Sequence, residues 1–277
     1  MKNIFSELEK LGLTEFEEVD IYDEDDEEEM HYEQLKMKEI DIVYDRSYNC
    51  PVCDRNFKSK AVKTGKARLN EVETDLRPIY DAIDPIKYDA VVCPYCGYAA
   101  LNRFFKNITS VQKKWVRENV SSNFKGLAQG KEIYDYDETL TRYKLALINT
   151  IVKKGKPSEK AYTCLKITWV LRGKRERYRR KDPSIIKALE QQEREFVKYA
   201  FDGFSQAFGK ESFPMCGMDE MTVTYLVGEL ARRVGKDEES LRWLSKVITS
   251  RSANERLKDK AREIKNLIKE QREKENK

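Results

Sequence analysis

Histidine is nearly missing from this chain: His31 is the only one in 277 residues. That removes most general-base schemes, because histidine is the side chain whose ordinary titration falls near neutral pH. Long apolar runs are missing too. No window approaches 18 uncharged apolar residues, so no membrane span is expected. Glycine and proline are sparse, and no glycine-rich phosphate loop occurs; Gly126 and Gly130 read as part of a helix end. Met1–Leu13 carries charges every few residues and lacks the apolar segment of a secretory signal. Asp and Glu abound, but no spacing sets an active-site pair apart from surface charge. The expectation is therefore a non-enzymatic protein with no catalytic and no cofactor-binding residues to assign.

What the chain does have is six cysteines, four of them in two motifs. Cys50-Pro51-Val52-Cys53 and Cys93-Pro94-Tyr95-Cys96-Gly97 are separated by 39 residues. Metal–sulfur bonds of about 2.3 Å place two thiolates of a tetrahedral site about 3.7 Å apart, which a Cys-x-x-Cys turn can supply. Gly97 can take the positive φ that such a loop needs after its second ligand. Asp54 holds the equivalent place in the first loop, and Asp tolerates that conformation better than most residues. One Cys-x-x-Cys also fits redox chemistry, whereas two with internal proline point to one metal site held by Cys50, Cys53, Cys93 and Cys96. One structural zinc per chain is expected, with iron and redox-active or metal-free thiols as alternatives. Reduced thiols without a secretory signal fit the cytoplasm. Cys164 lies on an apolar helix face and reads as a small buried hydrophobe. Cys216 lies in a turn, and pairing it with His31 as a nucleophile needs the N-terminal arm to fold across the body.

Charge is unevenly spread. Residues 1–29 hold thirteen acids against Lys2 and Lys10, a local net of −11, so with +4 overall the remainder carries +15. Asp23–Glu29 is an unbroken acidic run that should not pack, which makes the arm a solvated tail or a cover for a basic surface. Two basic clusters stand out. Arg55, Lys58, Lys60, Lys63, Lys66 and Arg68 surround the first cysteine pair. Arg172, Lys174, Arg175, Arg177, Arg179, Arg180 and Lys181 follow within ten residues. Such density can track a phosphate backbone, or it can decorate a solvated helix C-terminus.

The pattern divides the chain into an acidic, partly disordered arm (1–37), a zinc-ribbon-like module (38–106) and a helical part (107–277). Ile40, Ile42 and Tyr44 alternate with polar residues as in a strand. Phe57–Val62 and Ala67–Val72 read as strands flanking a turn at Thr64-Gly65, and Ala90–Val92 as a buried strand delivering the second cysteine pair. Residues 75–89 read as irregular. Ser110 is expected to cap a helix striped by Val111, Trp115, Phe124 and Leu127. A second helix over 138–153 presents Leu140, Tyr143, Leu147 and Ile151, and Gly155 and Pro157 stop it. A third starts at Ser158 and buries Ala161, Leu165, Thr168 and Trp169. Asp182-Pro183 opens a fourth. Residues 221–234 and 238–248 form a hairpin turning at Gly235, followed by a charged capping helix from Arg256.

That last hairpin resembles a tetratricopeptide repeat: Gly228 permits close helix approach, Ser240 is the small residue of the second helix, and Leu244 the bulky one. Gly155-Lys156-Pro157 with Ala161 marks a more degenerate copy. The fold class expected is α+β, mostly α. Taken together, the cysteine motifs, Asp75-Leu76-Arg77-Pro78, Tyr88-Asp89 and Tyr225-Leu226-Val227-Gly228-Glu229-Leu230 resemble a bacterial family catalogued as domain of unknown function 2225. That resemblance implies a bacterial cytoplasmic protein with a cysteine metal site and repeat-like helices, and implies no activity. The functional expectation is an interaction scaffold that binds a protein or peptide through its helices. A nucleic-acid binder using the basic clusters and a thiol redox protein are the alternatives.

Overall fold

A computed structural model describes residues 34, 37–81, 83–127, 130–178 and 183–275. Residues 1–33, with the acidic run and His31 among them, lie outside them. Strand β1 (Val43–Asn49) pairs antiparallel with β2 (Asn56–Val62), from Val43↔Val62 to Asn49↔Asn56. The first cysteine loop joins them. The inward face carries Tyr48 and Phe57, which stack at 5.7 Å and meet Phe105 edge-on. Strands β3 (Leu69–Val72) and β4 (Pro78–Tyr80) form a second hairpin. Strands β5 (Ala90–Val92) and β6 (Ala99–Leu101) form a third, across the second cysteine loop. The three sheets are separate two-stranded ribbons.

Two strand expectations are corrected. Residues 40–42 are helical rather than extended, within a helical stretch over 37–42. The anchor is Glu39, a buried carboxylate that accepts from Lys87 Nζ at 2.8 Å and from Tyr88 Oη at 2.5 Å. Gly65 does turn the chain at φ +75°, but the strands on either side of it do not pair with each other. Each pairs outward instead, because the cysteine loop closes β1 on β2 and the Asp75 turn closes β3 on β4.

Among the described residues, seven helices follow. Helix α1 (Ser110–Val116) is capped by Thr109, not Ser110, through a capping box with Gln112. It passes into one π turn, Arg117–Ser121, and stops there, so Phe124 and Leu127 are not on its stripe. Val111 points to solvent, and Val116 and Val120 carry the buried face. Helix α2 (Tyr136–Val152) starts at the Asp135 cap and buries Leu140 and Tyr143, leaving Ile151 half exposed. Lys154, rather than Gly155, takes the left-handed conformation after it.

Helix α3 (Pro157–Arg177) has proline at N1 and buries Leu165 and Ile167–Leu171 on all sides. Helices all-round apolar in this way belong in a core, and α3 is the centre of this one, covered by α4 (Pro183–Phe208). Asp182 lies outside the described residues. Helices α5 (Glu220–Arg233) and α6 (Asp237–Thr249) form the expected hairpin at Gly235. A Cβ at Gly228 would stand 3.0 Å from Leu244, which is the close approach foreseen for it. Helix α7 (Glu255–Glu275) lays Ala261, Ile264 and Ile268 over Tyr225, Leu244 and Val247. The principal core runs through α2–α5 and takes Ile86, Ala90 and Leu101 from the strand-rich part. The protein is thus mostly α with a small β-rich module.

Candidate metal centre

The two cysteine loops are built alike. Cys50 N–H donates to the Arg55 carbonyl at 3.0 Å and Asp54 N–H to the Cys50 carbonyl at 2.9 Å. In the second loop Cys93 N–H donates to the Tyr98 carbonyl at 2.8 Å and Gly97 N–H to the Cys93 carbonyl at 3.1 Å. Each loop is thereby closed twice, at the same offsets from its first cysteine. Both closures require a left-handed residue just after the second cysteine, and Asp54 (φ 58°) and Gly97 (φ 71°) supply it. Asn49 Nδ2 steadies the first of these by donating to the Asp54 carbonyl. Glycine is obligatory at the second, since a Cβ there would lie 2.6 Å from the Phe124 ring.

The loops face one another. Cys50 Sγ lies 3.6 Å from Cys96 Sγ, and Cys53 Sγ 3.7 Å from Cys93 Sγ. All four sulfurs fall within 4.8 Å of one another. These are edges of a tetrahedron with metal–sulfur bonds of about 2.3 Å, and far longer than a disulfide bond of about 2.05 Å. Four sulfurs so arranged can hold one metal ion. The thiols contend for protons at this spacing: hydrogen bonding with Cys93 is the largest influence raising Cys50, and the contact with Cys50 the largest lowering Cys93. A bound cation ends that conflict by holding every sulfur as a thiolate.

Both loops are fastened to the helices. Arg117, in the π turn, donates Nε to the Val52 carbonyl at 2.9 Å. Asn149 on α2 donates Nδ2 to the Gly97 carbonyl at 2.9 Å. At the tip Tyr95 is half exposed, with the Arg55 guanidinium 5.3 Å from its ring centre.

The other two cysteines stand apart from the cluster. Cys164 is buried, and burial pushes its thiol up to about 12. Cys216 is likewise raised to about 12 by burial, and donates to the Ser158 carbonyl at 3.3 Å.

In the second basic cluster, Arg172 turns inward. Arg172 is buried and binds Asp75 at 2.8 Å, Glu193 at 2.8 Å and Glu73. Burial alone would raise Asp75, but Arg233 and Arg172 outweigh it and hold its carboxyl below the usual range. Lys174 pairs with Asp137, and Arg175 with Glu190 and Glu193. All three are engaged with acids of the same chain, Arg172 buried and Lys174 and Arg175 half-buried. Arg179, Arg180 and Lys181 lie outside the described residues. In the first cluster Lys60 pairs with Asp45 and Lys63 donates to the Asp41 carbonyl. Sequence reasoning missed the Arg172 pairs because two of their acids, Glu73 and Asp75, lie 99 and 97 positions away in the chain.

Fold and site together define a mostly helical protein with a β-hairpin module built around four convergent cysteines. The chain belongs to the family described as an uncharacterized protein conserved in bacteria, domain of unknown function 2225, which matches residues 43–268. An uncharacterized protein of Borreliella burgdorferi is 28% identical over 127 residues, 41% of this chain and 46% of that protein. The chain therefore spans about half the length of that relative. No solved structure gives a significant match. Among the described residues, no helix is long and apolar enough to cross a membrane.

Proposed function

We infer that this is a non-enzymatic, zinc-binding interaction protein of the cytoplasm, whose tetratricopeptide-like helices receive a protein or peptide partner. The observation that carries the metal half is the convergence of four sulfurs at tetrahedral spacing on two loops of matching hydrogen-bond pattern. Zinc is preferred to iron because all-cysteine tetrahedral sites that staple small folds are its usual setting. Burial of Cys164 and partial burial of Cys216, with both thiols raised to about 12, support a structural part for each rather than nucleophilic chemistry. Internal pairing of Arg172, Lys174 and Arg175 supports a protein partner over nucleic acid.

Two measurements test this reading. Elemental analysis of the purified protein should give about one zinc per chain; a red protein absorbing in the visible moves the assignment to iron. Affinity capture from the native host, followed by nuclease treatment, should leave the captured protein in place. Release of the material by nuclease, or binding to single-stranded nucleic acid that survives 150 mM salt, overturns the protein-partner reading, because nonspecific phosphate tracking fades by about that salt.

A further inference from the structure

The β3–β4 hairpin is an arm whose tip is gripped by the helices. Its strands pair only with each other and are exposed or half-buried. Its tip, Glu73-Thr74-Asp75-Leu76-Arg77, is different. Thr74 donates its hydroxyl to Glu229 at 2.7 Å, accepts from Arg233 at 3.0 Å, and gives its carbonyl to the Tyr225 hydroxyl at 2.7 Å. Asp75, fully buried, meets Arg172 on α3 at 2.8 Å and Arg233 on α5 at 3.6 Å. Arg77 forms a two-pronged pair with Glu176 at 2.9 and 2.8 Å. Leu76, in the left-handed conformation, packs at the junction of the α2–α5 core and the α5–α7 core. Lys260 on α7 reaches the Val72 carbonyl at 2.8 Å. Two motifs that stand far apart in sequence, Asp75–Pro78 and Tyr225–Leu230, therefore meet as ligand and receptor.

We propose that the slot between α3, α5 and α7 is a peptide-recognition site that the chain's own Glu73–Arg77 tip occupies, and that it accepts a partner segment of the same chemistry. That chemistry is a hydroxyl residue, an acid, a leucine and an arginine in succession, in a turn that presents the first carbonyl. The inference deepens the interaction reading above and rests on it. Three features separate this contact from ordinary core packing. The grip is made mainly by side-chain hydrogen bonds and ion pairs to one short segment, as in peptide binding. The arm has no ladder bond to another sheet that holds it in place. Its flank turns at Gly65, where a side chain would meet no other group within 4 Å of its Cβ. The tip in cis sits at high effective concentration, so it masks the slot until a competitor of like chemistry, or release of the arm, opens it.

The test uses the full chain and a fluorescent synthetic peptide of residues 69–80. The wild type should show no saturable change in anisotropy. A variant with residues 73–77 replaced by glycine and serine, checked for helical circular dichroism and metal content, should bind the peptide. Replacing Asp75 by Ala in the peptide should weaken binding about tenfold or more, as should Arg233→Met in the tip-replaced protein. Should the tip-replaced chain fail to fold, Thr74→Ala decides, because it removes two hydrogen bonds and keeps the ion pairs. Peptide binding by that variant above the wild type supports the proposal. A folded variant, of either kind, that leaves the peptide free at millimolar concentration overturns it. Partner capture at another face then still stands, since the capture experiment does not depend on this slot.

Discussion

Gly97 and Asp54 do the same job with different chemistry, and the difference can be measured. Gly97 takes φ 71° at no steric cost, and its missing Cβ leaves room for the Phe124 ring. Gly97→Ala adds both left-handed strain and a clash, so it should cost about 1–3 kcal/mol and lower metal retention against a chelator. Asp54 pays for the same backbone conformation, so Asp54→Gly should be neutral or stabilising by up to about 1 kcal/mol in chemical denaturation. If the two substitutions shift the midpoint equally and in the same direction, the two loops are not equivalent. The ligands themselves admit a harder test. Cys93→Ser should abolish stoichiometric metal by elemental analysis, and a variant that keeps a full complement of metal shows that the four sulfurs do not share one ion.

At the scale of elements, the buried pairing of Asp75 with Arg172 ties the β3–β4 hairpin to α3. Breaking such a pair strands a charge, so Arg172→Met should destabilise by about 3–5 kcal/mol, and Asp75→Asn added to it should restore part of the loss. A calorimetric double-mutant cycle with no coupling would sink this account. The pH dependence follows from sign. The folded carboxyl of Asp75 titrates below its unfolded value. Its contribution is therefore present above the unfolded carboxylate pKa of about 4 and is lost as pH falls through the folded one. Acid unfolding of the wild type should be steeper below about pH 4 than that of Asp75→Asn. This network was not legible in the sequence, because Arg172 reads as one cation in a run of them and Asp75 as one acid in an irregular stretch. The convergence of the four cysteines was legible, because spacing and loop chemistry are local. So were α3, expected from Ser158 and beginning one residue earlier at Pro157, and the α5–α6 hairpin, where Gly228 and Gly235 mark close approach and stop. Helix α1 was misjudged because a capping box moved its start to Thr109 and a π turn ended it at Ser121. The partner of β2 could not be read from the turn at Gly65, because the cysteine loop joins β2 to β1 and determines the pairing.

Over the whole molecule, the hydrophobic clusters predict how far loss of metal will propagate. The four cysteines share a cluster with Tyr48, Phe57, Tyr98, Phe105, Val116 and Val120, on both cysteine hairpins and the α1 region. The β5–β6 hairpin in turn lies against α2, where Val92 and Ala99 meet Ala146 and Asn149 holds the Gly97 carbonyl. The α5–α7 cluster of Tyr225, Leu244, Val247, Ala261, Ile264 and Ile268 contains no residue of either cysteine hairpin. Metal binding carries much of the folding energy of a small thiolate-stapled unit, whereas helices with their own core do not need it. Chelation should therefore raise amide exchange first in residues 43–62 and 93–105, next along α2, and least in α5–α7. Far-ultraviolet circular dichroism should accordingly fall only in part, and thermal melting should split into two steps. A single cooperative loss of protection across α5–α7 and the cysteine hairpins together would show that the ion holds the entire chain, and that the clusters do not act as separate units.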